Sequence, residues 1–286
     1  MEGPRASGGR AMTGRSGKGH RDENFPVASK LLRPEHRAPI MAFYRFARVA
    51  DDIADAADLS PSEKLHKLGE LRRGLDGDGA PEAVALARTM AERGIDPIHA
   101  HELLDAFTQD VTVRRYADWD SLIGYCRLSA MPVGRFVLDV HGEDRATWPL
   151  SDALCAALQV INHLQDCAKD YRALDRIYIP ADMLAASGAE AEDLALTAAT
   201  PALRDAIVAT AARTRTLLEV SAPFAGGIRD RRLAAEVAII QRLAESLTAR
   251  LLTRDPLSER VHHRTVEAVL LAGGAALGQL FARRRR

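Results

Sequence analysis

The stretch Gln159-Val-Ile-Asn162-His163-Leu164-Gln-Asp166-Cys167-Ala-Lys-Asp170 decides how the rest of the chain is read. It has no Gly or Pro, and Val160, Ile161, Leu164, Cys167 and Ala168 recur at helical spacing, so it is expected to be helix. On a helix, Gln159, Asn162, Asp166 and Asp170 fall on one stripe, two amides followed by two carboxylates. Carboxylates one turn apart repel, and a core-facing pair calls for a cation to hold it there.

A second stripe of this kind lies upstream, where Tyr44, Arg48, Asp51 and Asp55 share a helix face with Asp52 on the flank. Two facing helices that each offer a carboxylate pair make a hard-oxygen site suited to Mg2+, which favours carboxylates, water and substrate phosphate. The implied ligand is a diphosphate. An Asp-rich helical turn is more commonly a solvated face, and either motif alone supports that reading. The duplicated four-residue Asp spacing, flanked each time by apolar residues, favours the site.

The 286 residues suffice for one large domain, and the composition, 47% hydrophobic and 27% charged, is that of a globular chain. Formal net charge is zero but unevenly placed: residues 1–21 hold five basic residues and one acid, and Arg283 to Arg286 add four more positive charges. The body between is therefore acidic, which argues against nucleic acid as a partner. Cys126, Cys155 and Cys167 are scattered within apolar helical segments, the pattern of reduced core thiols, and a cytoplasmic setting is expected. No run of 18 uncharged apolar residues predicts a membrane span, and the N-terminus has no secretory h-region.

Residues 1–22 form a basic tail expected to be disordered, residues 23–282 a single all-α domain, and residues 283–286 a basic C-terminal tail. Helical spacing runs to Asp58 with breaks expected at Pro34 and Pro39. Ser60-Pro61-Ser62-Glu63 reads as a cap and first turn, and the Gly-rich run from Leu75 to Pro81 as a loop. Further helices are expected at about 81–93, 96–109, 118–128, 131–141, 201–220, 230–252 and 264–281, with one long helix from Pro149 past Asp170. No alternation of period two persists, which removes most β architectures. The segment 264–281 is apolar almost all round and precedes four arginines; it suits either a lid on the domain or peripheral contact with an anionic membrane.

With both stripes placed, the chain resembles the trans-isoprenyl diphosphate synthases of the squalene and phytoene synthase group, head-to-head type. Asp51-Asp52-Ile-Ala-Asp55 is similar to the group's first Asp-rich motif and Asn162 to Asp170 to its second. Tyr125-Cys126 followed by Pro132-Val133-Gly134 resembles the helix break that lines the group's pocket, and Arg176-Ile-Tyr178-Ile-Pro180 its Arg-x-Tyr-x-Pro segment. Residues 23–29, 129–135 and 162–167 are most similar to the bacterial hopanoid branch of the group. Leu128 stands where an aromatic residue is common in the group, and Met131 where Asn or Gly is common.

The resemblance implies an isoprenoid-synthase helical bundle around a central apolar cavity. It also implies a carbon–oxygen lyase reaction: presqualene diphosphate loses diphosphate and water quenches the rearranged cation. Handover of substrate and product to neighbouring pathway enzymes would follow. Asp51, Asp55, Asp166 and Asp170 are the expected metal ligands, with Asp52 in either role and Asn162 as a direct or water-bridged partner. Arg48 is the first candidate for holding phosphate oxygens, its alternative being an ion pair with an aspartate, and Arg176 is the second. Phe25, Phe43, Tyr44, Tyr125 and Tyr178 are candidates for walls that shelter a carbocation, and Gln159 or Tyr125 for orienting water. His163 and His141 read as structural. No Gly-rich dinucleotide fingerprint is present, and neither a nicotinamide nor a flavin is expected. The competing readings are another head-to-head synthase (presqualene diphosphate, phytoene or squalene) and a helical scaffold with a degenerate site.

Overall fold

Prolines occupy the first turn of six of the twelve described α-helices, where a missing N–H costs nothing. In the computed structural model, which describes residues 33–263, the elements are α1 (Pro34–Asp55), α2 (Pro61–Leu75), α3 (Pro81–Arg93), α4 (Ile98–Asp110), α5 (Trp119–Ser129), α6 (Met131–Val140), α7 (Trp148–Gln165), α8 (Cys167–Leu174), α9 (Ala181–Ser187), α10 (Pro201–Ser221), α11 (Phe224–Gly227) and α12 (Arg231–Leu251). Short 3-10 turns precede α7 and α10. The all-α expectation holds throughout the described residues. The predicted basic tails, the 23–29 motif with Phe25, and the apolar segment 264–281 lie outside them. No helix among the described residues is long and apolar enough to cross a membrane.

The bundle is arranged around α7, which packs against α5, α6, α10 and α12, while α1 packs against α2, α3, α4 and α6. Ala156, Ala157, Val160, Ile161 and Leu164 bury the inner face of α7 almost completely. Phe43 of α1 stacks on Phe136 of α6 at 4.2 Å, so this candidate wall residue is core packing. Ser60 caps α2 through the expected reciprocal box with Glu63. The three cysteines are free, and burial pushes the Cys126 and Cys167 thiols up to about 12, which keeps them protonated.

Two sequence expectations about helix continuity are corrected. Pro39 does not break α1. An internal proline removes the N–H that would serve the carbonyl four residues back, here Glu35, and that oxygen instead accepts from Arg93 Nη2 at 2.6 Å. Arg93→Ala is expected to cost about 1 kcal/mol in the wild-type chain and measurably less in Pro39→Ala, where the helical donor returns. A denaturant double-mutant cycle reads that coupling; an additive cycle would refute it. The second correction concerns the central helix, which bends at Asp166 (φ −101°, ψ 7°), ending α7 and starting α8. No Gly or Pro accounts for this bend.

α6 approaches α7 through Gly134. A Cβ there would sit 2.5 Å from both Ser151 Oγ and Cys155 Sγ. Alanine gains up to about 1 kcal/mol of helix propensity over glycine, but overpacking a core contact costs about 1–3 kcal/mol. Because Ser151 is buried and has little room to turn, the clash should win. Gly134→Ala is therefore expected to lower Tm, and a raised Tm would contradict this account.

Candidate active site

The acidic motifs sit at the end of α1 and across the α7–α8 bend. Arg48 reaches along its own helix to Asp51 (2.6 Å) and Asp52 (3.1 Å), so the ion-pair alternative foreseen for it is the arrangement present. Lys169 lies 3.6 Å from Asp166. These aspartates are half-buried, with side-chain exposures of 35% for Asp51, 40% for Asp52 and 40% for Asp166, neither core nor free surface.

Arg176, the second candidate for holding phosphate, touches both motifs. Its backbone N–H donates to the Asp170 carbonyl (3.3 Å), Nη1 donates to Asp55 Oδ1 (2.7 Å), and Nη2 donates to the Asp110 carbonyl (3.1 Å). One residue thus meets the backbone of the second acidic motif with its own N–H and a carboxylate of the first with its guanidinium. Burial works against the guanidinium charge, but Asp110, Tyr178 and Asp55 outweigh it and raise the pKa above its ordinary value. Lys64, which the sequence did not single out, donates to the Ala54 carbonyl at 2.9 Å, and burial and then Arg176 lower its pKa.

What positions Arg176 is a run of main-chain bonds between residues 114–117 and 177–182. Ile177 N–H donates to the Arg114 carbonyl, Ala181 N–H to Tyr116 and Asp182 N–H to Ala117, around a single parallel bridge between Arg115 and Ile177. The same register brings Tyr178 against Tyr116, with ring centroids 5.7 Å apart. Tyr125 lies 5.2 Å from Tyr116 and 5.8 Å from Tyr178, and His163 stacks on Tyr178 at 3.4 Å. The expected pair Tyr125 and Tyr178 is therefore half of a four-ring box built around Tyr178. All three tyrosine hydroxyls are held above their usual pKa, first by burial and then by Asp110.

Gln159 turns to His163, its amide nitrogen 3.0 Å from Nε2. Burial, and then Arg176, push the His163 pKa down to about 3, so the imidazole is neutral, accepting at Nε2 with its proton on Nδ1. Asp110, the last residue of α4, was missed from sequence. Its Oδ2 accepts from the Tyr125 hydroxyl at 2.9 Å, while its Oδ1 is buried with no hydrogen-bond partner among the described residues. Burial pushes the carboxyl pKa up to about 6 despite the opposing charge of Arg176. Tyr44 is half-buried on α1, and Asn162 half-buried on α7 beside the bend.

The donor set Asp51, Asp52, Asp55, Asp166 and Asp170 is all carboxylate, which fits magnesium. Among the described residues no three of these side chains bring oxygens within 4.8 Å of one another, and basic side chains pair with several of them. The arrangement suits an ion that takes much of its coordination from water and substrate phosphate.

The family model for squalene/phytoene synthase matches residues 19–267. The chain belongs to the squalene/phytoene synthase family. Within the squalene/phytoene synthases, the chain is 56% identical to the curated hydroxysqualene synthase of Zymomonas mobilis, over 93% of this chain and 91% of that one. It is 55% identical to that of Rhodopseudomonas palustris, over 94% and 93%. Among solved structures, squalene synthase HpnC from Alicyclobacillus acidocaldarius superposes with a TM-score of 0.69 at 32% identity, covering 78% of this chain and 85% of that one. The isoprenoid-synthase bundle implied by the sequence resemblance is thus the fold of this family member.

Proposed function

We propose that this chain is a hydroxysqualene synthase, which ionises presqualene diphosphate and lets water capture the rearranged carbocation. The observation that carries the reading is Arg176, whose backbone N–H meets the Asp170 carbonyl of the second acidic motif and whose guanidinium holds Asp55 of the first, two residues before Tyr178 of the buried ring cluster. A charged mouth backed by an aromatic interior is what a reaction that sheds an anion and shelters a cation requires.

Asp51, Asp52, Asp55, Asp166 and Asp170, with Asn162, would hold magnesium, which when bound supplies Lewis-acid stabilisation of the leaving diphosphate. Arg176 and Arg48 exchange carboxylate partners for phosphate oxygens, a trade that favours the planar guanidinium fork. Tyr44 and Phe25 are assigned to the substrate-binding surface on the sequence motif. Tyr116, Tyr125 and Tyr178 present ring faces to the cation without bonding to it. Protonated tyrosines and a neutral His163 add no competing charge and no strong nucleophile.

The attacking water must lose a proton. Tyr125 and Gln159 orient that water. Tyr125 oxygen takes the water proton while passing its own to Asp110 Oδ2, the acceptor it already faces at 2.9 Å. A carboxyl with a pKa of about 6 is ionised at neutral pH yet basic enough for the task. No reductant enters this scheme.

That the 32%-identical solved structure is a squalene synthase favours the second reading, a head-to-head synthase acting on farnesyl diphosphate. Incubation of purified protein with presqualene diphosphate and magnesium, without reductant, separates the two. An alcohol product is expected. A hydrocarbon product, or consumption of farnesyl diphosphate alone, would overturn the assignment. Residues 23–282 as one domain, its cytoplasmic placement with peripheral lipid contact through 264–286, and handover between pathway enzymes are further parts of this proposal, resting on the sequence.

A further inference from the structure

A second group of metal-binding side chains lies at the opposite end of α1. His36 in its first turn, His141 following α6, and Asp230 at the start of α12 each offer a donor atom, and the three donors lie within 4.8 Å of one another. The helix rise from His36 to Asp55 amounts to about 28 Å, so this cluster is separate from the acidic motifs.

The tautomer of His141 is set for coordination. Its Nδ1–H donates to the Val137 carbonyl at 2.9 Å, which leaves the lone pair on Nε2, and Nε2 is buried with no hydrogen-bond partner among the described residues. A metal-bound imidazole commonly has this outer hydrogen bond to a carbonyl. Burial lowers the His141 pKa, so the ring is neutral and its lone pair available. His36 stands against it with ring centroids 4.2 Å apart, and its Nδ1 is likewise buried with no hydrogen-bond partner among the described residues. Buried ring nitrogens left without hydrogen-bond partners on two adjacent imidazoles are unfavourable unless something satisfies them.

The carboxylate is also held in place. Asp230 Oδ1 caps α12 by accepting from the backbone N–H groups of Arg232 and Leu233, and Oδ2 faces Arg33 Nε at 3.5 Å. Arg33 is 55% exposed and can swing outward. Behind the cap, Glu143 is buried and both its oxygens accept main-chain N–H groups, from Arg229 (2.8 Å) and Asp230 (2.7 Å). It fixes the loop and adds negative charge.

We infer that His36, His141 and Asp230 form a binding site for a divalent transition metal of the zinc class, tying the first turn of α1 to the end of α6 and the start of α12. Two imidazole nitrogens and one carboxylate suit zinc and its neighbours, whereas magnesium prefers an all-oxygen set. Tetrahedral ligands about 2.1 Å from one ion lie about 3.4 Å apart, so donors within 4.8 Å of one another must draw in by at most about 1.4 Å, within reach of side-chain rotation. Water takes the remaining position.

The test is a calorimetric titration of Zn2+ into tag-free, metal-stripped full-length protein containing excess Mg2+, which occupies the carboxylate motifs. One zinc per chain is expected, undisturbed by the magnesium. Asp230→Asn, which retains the helix cap, and His36→Gln should each weaken this zinc by about 100-fold, with far-UV circular dichroism unchanged. Visible d–d absorption of Co2+ added in place of zinc should appear in the wild type and vanish in both variants. Absence of a zinc site in the wild type, or variants that bind zinc and cobalt as the wild type does, would overturn the inference.

Discussion

Arg176→Met is expected to lower kcat/KM for alcohol formation by about 10²–10³, because it removes a preorganised donor aimed at the leaving group. It also strips Asp55 of its 2.7 Å partner and the buried Asp110 of the main cation facing it. Breaking a buried pair from one side costs about 3–5 kcal/mol. The Asp55 side chain is 31% exposed and water will screen part of the loss, so the lower end of that range applies. Arg176→Lys keeps the charge but not the two-pronged contact, and should recover most of the stability and little of the rate. Urea unfolding beside steady-state kinetics on both variants checks this. Full activity in the methionine variant would remove Arg176 from the reaction altogether.

Asp110→Asn should stabilise the protein and slow it. The carboxyl pKa rises from its ordinary 3.8 to about 6 on folding, so the folded chain binds the proton more tightly than the unfolded one. Stability therefore falls as pH climbs between those two values, and above the folded pKa the ionised group imposes a constant cost of about 3 kcal/mol. Asparagine mimics the protonated form and can still accept from Tyr125. In metal-free buffer the variant should exceed the wild type by up to that amount at pH 8, with the difference closing below pH 4. A pH-independent difference would refute the assignment. Losing the proton acceptor should cost about 10²-fold in turnover, placing this carboxylate among groups retained for activity at the expense of stability.

The helices and the two acidic motifs were readable because each announces itself locally. Apolar spacing marks the buried face of α7, proline marks the first turns, and Ser60 with Glu63 spells its own cap. The Arg-x-Tyr-x-Pro segment placed Arg176 and Tyr178 in the site. What escaped depends on partners distant in the chain. Asp110 ends an ordinary amphipathic helix, and only Arg176, 66 residues later, and Tyr125 give it a role. Tyr116 gains its meaning from stacking on Tyr178, and His163 from the same ring. Pro39 looked like a break because the donor that rescues Glu35 comes from Arg93, 58 positions away. The bend at Asp166 carries no Gly or Pro and stayed invisible for that reason.

The pairing of residues 114–117 with 177–182 joins peptide groups, so the alignment is indifferent to the exposed side chain at Ala117, whereas Ile177 also packs in the core. Substitution can drift at the exposed Ala117 while the register endures. Proline at 177 or 181 is the exception, since it deletes a donor outright. Either change would unfasten the strap that aims the guanidinium and the tyrosine ring, disabling the enzyme through a position that touches no reactant.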